Sequence, residues 1–464
     1  MENHPNPNPN HLRRRRRRVI LVLFPYQGHV TPILTLATIL NTHHHFPITI
    51  AHPRFFNNSI YPSHHPHFHF LPFGKSTDGG EKPVVVGRII ELVKRFNDEF
   101  KDDFRGEIER LMRKEGEEIG CVVYDQYMYV GQAVADELGI KSVGLRTGGA
   151  ASLLSFGEAA KVNRESVTAT KCPEEEADDS GLQGVATAIE AMRATFAATR
   201  TGIREAVAEA FAKSAAIVVN TTESLESHFI KKGQLHFRAP ILPIGPFHKI
   251  TNTTSSNSLL QEESSCISWL DKYPPRSVLY ISFGSIVDVS ESELLEIAWG
   301  LEASKQPFLW VIRPGLITGA RAWDDVLPEN LKEMVRERSC IISWAPQMQV
   351  LKHDSVGGFW SHCGWNSTLE SVCEGVPMIC RPFFGDQSVN TMYITRVWKI
   401  GLELEKNEFE RGNITKCIRK LLVEKDGQEM RDRAALLKAK VMASLKEGSS
   451  EKYLDQLANL ISSA

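Results

Sequence analysis

Short runs of Val, Ile and Leu alternate along this chain with longer stretches whose apolar positions recur at helical spacing. That is the pattern of parallel strands buried on both faces and joined by crossover helices. In the first half the runs are Val19 to Phe24, Ile48 to Ala51, Cys121 to Tyr124, Ser142 to Leu145 and Ile217 to Asn220. Between them Thr31 can cap a helix whose first turn begins at Pro32, and Val130 to Leu138 is closed by Gly139. In the second half the runs are Val278 to Phe283, Phe308 to Ile312, Cys340 to Ser343, Gly357 to Trp360, Met378 to Cys380 and Gly401 to Leu404. Ser290 and Glu293 form a capping box after the first of these. Both halves therefore predict doubly wound α/β organisation. A last helix is predicted over Ser449 to Ile461, where Tyr453, Leu454, Leu457, Leu460 and Ile461 share a face that needs a surface to cover.

At 464 residues the chain exceeds what one core usually supports, so two domains with a cleft between them are expected. The polar stretch Thr251 to Ser258, which follows the Pro-rich turn region Ile241 to Phe247, reads as the linker. Glu165 to Gly184, with acidic residues at Glu174 to Glu176, Asp178 and Asp179, reads as a solvated surface loop. The arginine run Arg13 to Arg18 before Val19 to Phe24 imitates a signal peptide, but six apolar residues ending at Pro25 are too few for a signal core. No stretch approaches the roughly 18 apolar residues of a membrane span. A formal net charge of -2 gives no basic field for nucleic acid. The eight cysteines show no paired spacing for a zinc site or disulfide framework, so reduced thiols and a cytoplasmic location are expected.

Two places carry candidate chemistry. His29 lies on the turn after the first strand and Asp125 directly after the strand Cys121 to Tyr124; both are carboxyl ends, where open parallel sheets bind ligands. Alone, His29 reads better as a turn or cap residue, and Asp125 reads equally well as a helix N-cap. Together they can form a general base and the carboxylate that orients it. The second place runs from Trp344 to Gln387. His362 to Thr368 (HCGWNST) passes from a strand through a small-residue turn into a helix, whose unpaired first amides can hold a diphosphate. Glu370, one turn on, can accept two ribose hydroxyls, Trp344 can stack on a base, and Asp386 with Gln387 can meet sugar hydroxyls.

This 44-residue block resembles the signature box of plant secondary-product UDP-glycosyltransferases, with WAPQ, HCGWNSTLES, GVPM and DQ all in register. The likeness extends to the FPYQGH start, Tyr280 to Ser285 (YISFGS) and the LWVIRP strand, and is weakest over 55–114 and 162–213. It implies the GT-B fold, two Rossmann-like domains facing across a cleft. An acceptor-binding domain would span 1–247, with 1–18 a disordered basic tail, and 248–262 would be the linker. A donor-binding domain would span 263–446, and the helix in 447–464 would pack back on the first domain. The resemblance also implies that Trp344 stacks on uracil, Ala345 binds its edge, and Gln347 and Glu370 meet the ribose. Ser285, His362, Asn366 and Ser367 would hold the diphosphate; Trp365, Asp386, Gln387 and Thr147 would line the sugar. Gly148 and Gly149 replace the small hydroxyl residues common after Thr147, and Arg381 replaces an apolar residue before Pro382.

The activity implied is an inverting transfer of glucose from UDP-glucose to a small lipophilic acceptor, His29 being the base held by Asp125. No cofactor or metal is implied, and no Asp-x-Asp triplet is present. The expected partners are the UDP-sugar and the acceptor alone, on a monomer. Two other readings use the same pocket: a nucleotide-sugar epimerase, and a UDP-sugar-binding protein without transfer. Neither has evident use for His29 beside Asp125.

Overall fold

The structure is a computed structural model that describes residues 17–56, 65–75, 89–115, 118–157, 179–198, 202–251, 257–319, 322–404, 409–446 and 448–463. Thirteen strands among these residues form two parallel sheets. The first holds β1 (Arg18–Val22), β2 (Ile48–Pro53), β3 (His69–Phe73), β4 (Ile119–Asp125), β5 (Ser142–Arg146), β6 (Ala216–Val219) and β7 (Ile241–Pro243), in the order β3-β2-β1-β4-β5-β6-β7. The second holds β8 (Val278–Ser282), β9 (Phe308–Val311), β10 (Ser339–Ile342), β11 (Val356–Ser361), β12 (Met378–Cys380) and β13 (Gly401–Glu403), in the order β10-β9-β8-β11-β12-β13.

Alternation along the central strands shows why these sequences form parallel sheets. Val19, Leu21 and Leu23 enter one core cluster while Ile20, Val22 and Phe24 enter another on the opposite face. Val278 and Tyr280 likewise part from Leu279 and Ile281. Strands buried on both faces need helices on both sides, and the connections wind outward in both directions from the central pair. Winding reverses between β1 and β4 in the first domain and between β8 and β11 in the second, leaving a crevice at those carboxyl ends.

Several boundaries differ from expectation. The first helix spans Gln27–His44, so its N-cap is Tyr26 rather than Thr31, and Pro32 sits inside it. Thr31 instead accepts a hydrogen bond from the Gln27 side chain at 2.7 Å. β3 and β7 escaped the sequence reading because both are edge strands containing proline, which weakens the apolar signal and is tolerated where one side of the strand is unpaired. The stretch read as an acidic loop ends in the helix Asp179–Ala198, whose Gly181 lies close against the backbone of Arg396 in the second domain. Glu174 to Glu176 and Asp178 lie outside the described residues, as does the tail before Arg17. Arg17 and Arg18 do not belong to a disordered tail: Arg17 pairs with Glu118 at 2.8 Å, and Arg18 opens β1.

At the end of the polar stretch, the chain docks on the first domain. Gln27 donates to the Asn257 carbonyl at 3.0 Å and accepts from the Leu259 amide at 2.6 Å. The last helix, Ser449–Ser462, also returns to the first sheet, and Leu454, Leu457, Ala458 and Ile461 complete the core cluster on one of its faces. Lys141 caps its end at the Ser463 carbonyl (2.8 Å), and Ser450 donates to the Gly245 carbonyl (2.8 Å). Leu457 is fully buried. Leu457→Ala is expected to cost about 2–5 kcal/mol of first-domain stability, the usual range for a buried leucine truncated to alanine. The check is the denaturant midpoint followed by fluorescence, with Leu436→Ala, an exposed position, as the unaffected control.

Candidate active site

His29 falls in the first turn of the helix after β1, and Asp125 is the last residue of β4. Because Val22 pairs with Tyr124 in register, the two residues come to the same end of neighbouring central strands. His29 Nδ1 lies 2.7 Å from Asp125 Oδ2, and the Asp125 carboxylate is fully buried. Its other oxygen accepts the Tyr127 amide at 2.9 Å, which fixes the carboxylate plane. The Thr147 hydroxyl also lies 3.2 Å from His29 Nδ1. With Nδ1 so engaged, Nε2 is the nitrogen left for chemistry. Phe24 and Tyr127 pack on the imidazole, with ring centroids 5.2 and 5.4 Å away.

The facing edge belongs to the second domain. Ser285 follows β8 and His362 follows β11, the corresponding central pair, and Ser282 pairs with Ser361 in register. The turn between β11 and the helix Trp365–Glu374 needs Cys363 at φ 64°, a left-handed conformation unusual for a side-chain-bearing residue. Asn390 holds it by donating to the Cys363 carbonyl at 3.0 Å. Gly284 is close-packed on the His362 ring, where a Cβ would come within 2.7 Å. Burial pushes His362 down to about 4, so near neutral pH it is an uncharged imidazole and not a cation.

A further knot joins Gln347, Ser367 and Glu370. The Gln347 amide donates to Ser367 Oγ (2.9 Å) and Glu370 Oε2 (2.7 Å), while its oxygen accepts from Tyr280 (3.1 Å). Burial raises the Glu370 carboxyl to about 7, against the opposing pull of that Gln347 bond and the Lys249 charge. Trp344 is half-buried beside the same core, and Ala345 is buried.

Nearest the dyad, the two domains touch through side chains expected at the sugar and diphosphate. Asn366 donates to the Gly28 carbonyl at 2.9 Å, and the Trp365 indole donates to the Asn220 carbonyl at 2.8 Å. Gln387 spends its oxygen on the Phe383 and Phe384 amides (2.7 and 3.1 Å), which leaves its NH2 as the free function. Asp386 is partly exposed, 3.8 Å from the Arg146 guanidinium.

Comparison with known proteins identifies the family. The profile of the family described as "UDP-glucoronosyl and UDP-glucosyl transferase" matches residues 111–432. A tomato (Solanum lycopersicum) protein named UDP-glycosyltransferase 76E1 is 39% identical over 457 residues, covering 96% of this chain and 92% of its own. The chain belongs to the plant UDP-glycosyltransferases. An Arabidopsis thaliana relative named Flavonol 3-O-glucosyltransferase UGT76E12 is 38% identical over 453 residues, covering 96% of each chain. Among solved structures, Os79 from O. sativa in complex with UDP superposes with a TM-score of 0.80 at 25% identity, covering 96% of this chain and all of that one. The fold is GT-B, the protein is a glycosyltransferase acting on small plant metabolites, and its donor is a UDP-sugar. Among the described residues no helix is long and apolar enough to cross a membrane.

In this glycosyltransferase Arg381 proves to be committed elsewhere. It pairs with Glu293, the capping-box residue, and its guanidinium lies 3.7 Å from the centroid of Phe409 and 4.4 Å from that of Phe383. Sequence reasoning gave no role to Gln27, Tyr127, Arg146 or Glu226. Arg146 carried a visible signal, as a charged residue ending an otherwise apolar strand. Glu226 carried none: its buried carboxylate accepts the Ala150 and Ala151 amides (2.8 and 3.0 Å), capping the helix after Thr147 from a distant part of the chain.

The raised Glu370 carboxyl predicts a pH dependence. If it must ionise to accept ribose hydroxyls, UDP affinity falls as pH drops through about 7. Between pH 8 and pH 6 the wild-type dissociation constant is expected to weaken about tenfold more than that of Glu370→Gln. Calorimetric titration of UDP at both pH values checks this, and the variant cancels the titration of the phosphate itself.

Proposed function

We propose that this enzyme transfers glucose from UDP-glucose, with inversion and without a metal, to a hydroxyl of a small lipophilic acceptor bound beside His29. The observation that carries the reading is the 2.7 Å contact between His29 Nδ1 and the buried Asp125 carboxylate at the cleft. That contact sets the tautomer that presents Nε2 as a base and stabilises the imidazolium formed when it takes a proton. The acceptor O–H bond breaks toward Nε2 while the oxygen attacks the anomeric carbon. The bond from that carbon to the β-phosphate oxygen breaks, and UDP leaves with the electron pair. First-turn amides of the helix Trp365–Glu374, with Ser285, His362, Asn366 and Ser367, hold the departing diphosphate.

Trp344 stacks on uracil and Ala345 binds its edge, while Gln347 and Glu370 take the ribose. Asp386 and the Gln387 amide meet the glucose hydroxyls, with Trp365 and Thr147 closing the walls. The aromatic shell of Phe24, Tyr127, Phe96 and Phe55 around the dyad suits a flat, apolar acceptor. The name of the Arabidopsis relative, a flavonol 3-O-glucosyltransferase, supports both the sugar and an oxygen nucleophile. We assign acceptor binding to 1–247 and donor binding to 263–446, in a cytoplasmic monomer.

His29→Ala is expected to lower turnover on an alcohol acceptor by roughly two to four orders of magnitude, the range of a general-base contribution. UDP affinity should stay unchanged. Wild-type turnover in that variant would remove the base assignment. UDP-glucose is expected to exceed UDP-galactose in kcat/KM by about tenfold or more, since one sugar hydroxyl bond lost with its partner unpaired costs roughly 1–3 kcal/mol. UDP-glucuronate should be poorer still, because Arg381 is paired away. Equal values for glucose and galactose with one fixed acceptor would sink the donor reading.

A further inference from the structure

Arg146 ends β5 as a guanidinium only 3% exposed. NH1 donates to Gln126 Oε1 at 2.5 Å and NH2 to Ser152 Oγ at 2.6 Å, and the group lies 5.5 Å from the Phe156 ring centroid. All of these holding groups are neutral. Among the described residues the carboxylate that faces it is Asp386, reached across the domain boundary at 3.8 Å. A buried cation without a carboxylate is costly, so the pair resists separation while the domains are docked.

Two further observations show that this contact has been made room for. Asp386 sits at the N-cap of the helix Gln387–Met392 with αR backbone (φ -80°, ψ 0°), not the extended conformation from which a capping side chain reaches its own amides, so its carboxylate is left free of the helix. Its Oδ2 points toward Arg146 instead. Beside the pair lies Gly148, one of the two glycines that depart from the family pattern. A Cβ there would come within 2.5 Å of Asp386 Oδ2 and 2.7 Å of Arg146 NH2. Any side chain at 148 would thus have to displace one of the two charged groups.

We propose that Arg146 is a positioning residue for donor-sugar recognition, fixing the Asp386 carboxylate from the opposite domain through the space that Gly148 leaves open. This rests on the reading of Asp386 as the sugar-hydroxyl acceptor. The αR backbone leaves the carboxylate off its own helix, Arg146 then orients it through Oδ2, and its remaining lone pairs face the hexose. Sugar recognition then requires both domains docked, whereas the UDP moiety is held by the second domain alone. The device acts on sugar binding and not on nucleotide binding, which gives it a signature that general destabilisation lacks.

The test compares the KM for UDP-glucose with the dissociation constant of UDP in four single variants and one double variant, with thermal unfolding as the check on folding. Arg146→Met is expected to raise KM about tenfold, as for one lost charge-assisted contact, while UDP binding stays within about twofold. Arg146→Lys, which keeps the charge but not the fork, should recover part of the loss. Gly148→Ala should reproduce the loss with Arg146 intact, and it carries the test if Arg146→Met does not fold. Asp386→Asn should raise KM at least as much, and adding Arg146→Met to it should do nothing more. Additive effects, an unchanged KM in Arg146→Met or Gly148→Ala, or parallel losses of UDP and UDP-glucose affinity would overturn the proposal. An unchanged KM in Asp386→Asn would instead remove the donor-sugar reading of Asp386, and the proposal with it.

Discussion

A missing backbone hydrogen bond holds the two halves of the site together. Pro32 lies inside the first helix and has no N–H, so the carbonyl four residues earlier, that of Gly28, lacks its intrahelical partner. The Asn366 side chain of the second domain supplies that partner at 2.9 Å. Gly28 precedes His29, and Asn366 lies in the first turn of the helix at the proposed diphosphate site. With the Trp365 bond to the Asn220 carbonyl, the Asn366 bond ties the His29 turn to the proposed diphosphate site. A proline that would ordinarily weaken a helix here leaves an acceptor free for the opposite domain.

Both edges that this bond brings together have the same physical origin. Parallel strands place all their carboxyl ends on one side, and reversal of winding between central strands opens a crevice there. The first domain fills its crevice with His29 and Asp125, the second with Ser285 and His362. Helices start at both edges, so unpaired amides face the gap and favour an anion between them. His362 lies beside them as an uncharged imidazole, burial holding it down at about 4. Anion binding at the proposed diphosphate site would thus rest on oriented dipoles and not on a protonated histidine.

Burial has the opposite consequence a few residues away. The Glu370 carboxyl is raised to about 7, so ligand hydroxyls that replace its lost hydration are worth more than at a solvated glutamate. Gln347 and Tyr280 keep that group oriented without neutralising it, through a chain of bonds from 2.7 to 3.1 Å. The C-terminal helix completes the frame by covering a face of the first sheet after the chain has built the second. Together with the Asn257 to Leu259 segment docked on Gln27, it makes a second crossing between domains.

The sequence by itself determined the two doubly wound sheets, because strands buried on both faces must read as continuous apolar runs. It determined the family as well, because four motifs in one block stand in register, and it singled out His29 with Asp125 from their shared position at carboxyl ends. Edge strands β3 and β7 were not legible: with one neighbour each they tolerate proline and show little apolar signal. The start of the first helix was misplaced because Pro32 looks like a first-turn residue, and only its neighbour in the other domain explains it inside. Arg146, Gly148 and Asp386 are far apart along the chain, and nothing local connects a charged strand end to a glycine and a distant aspartate. Tertiary structure decided their meeting, as it decided that Arg381 belongs to Glu293. Both depend on which side chains share a desolvated space, and the order of residues along the chain does not contain that distance.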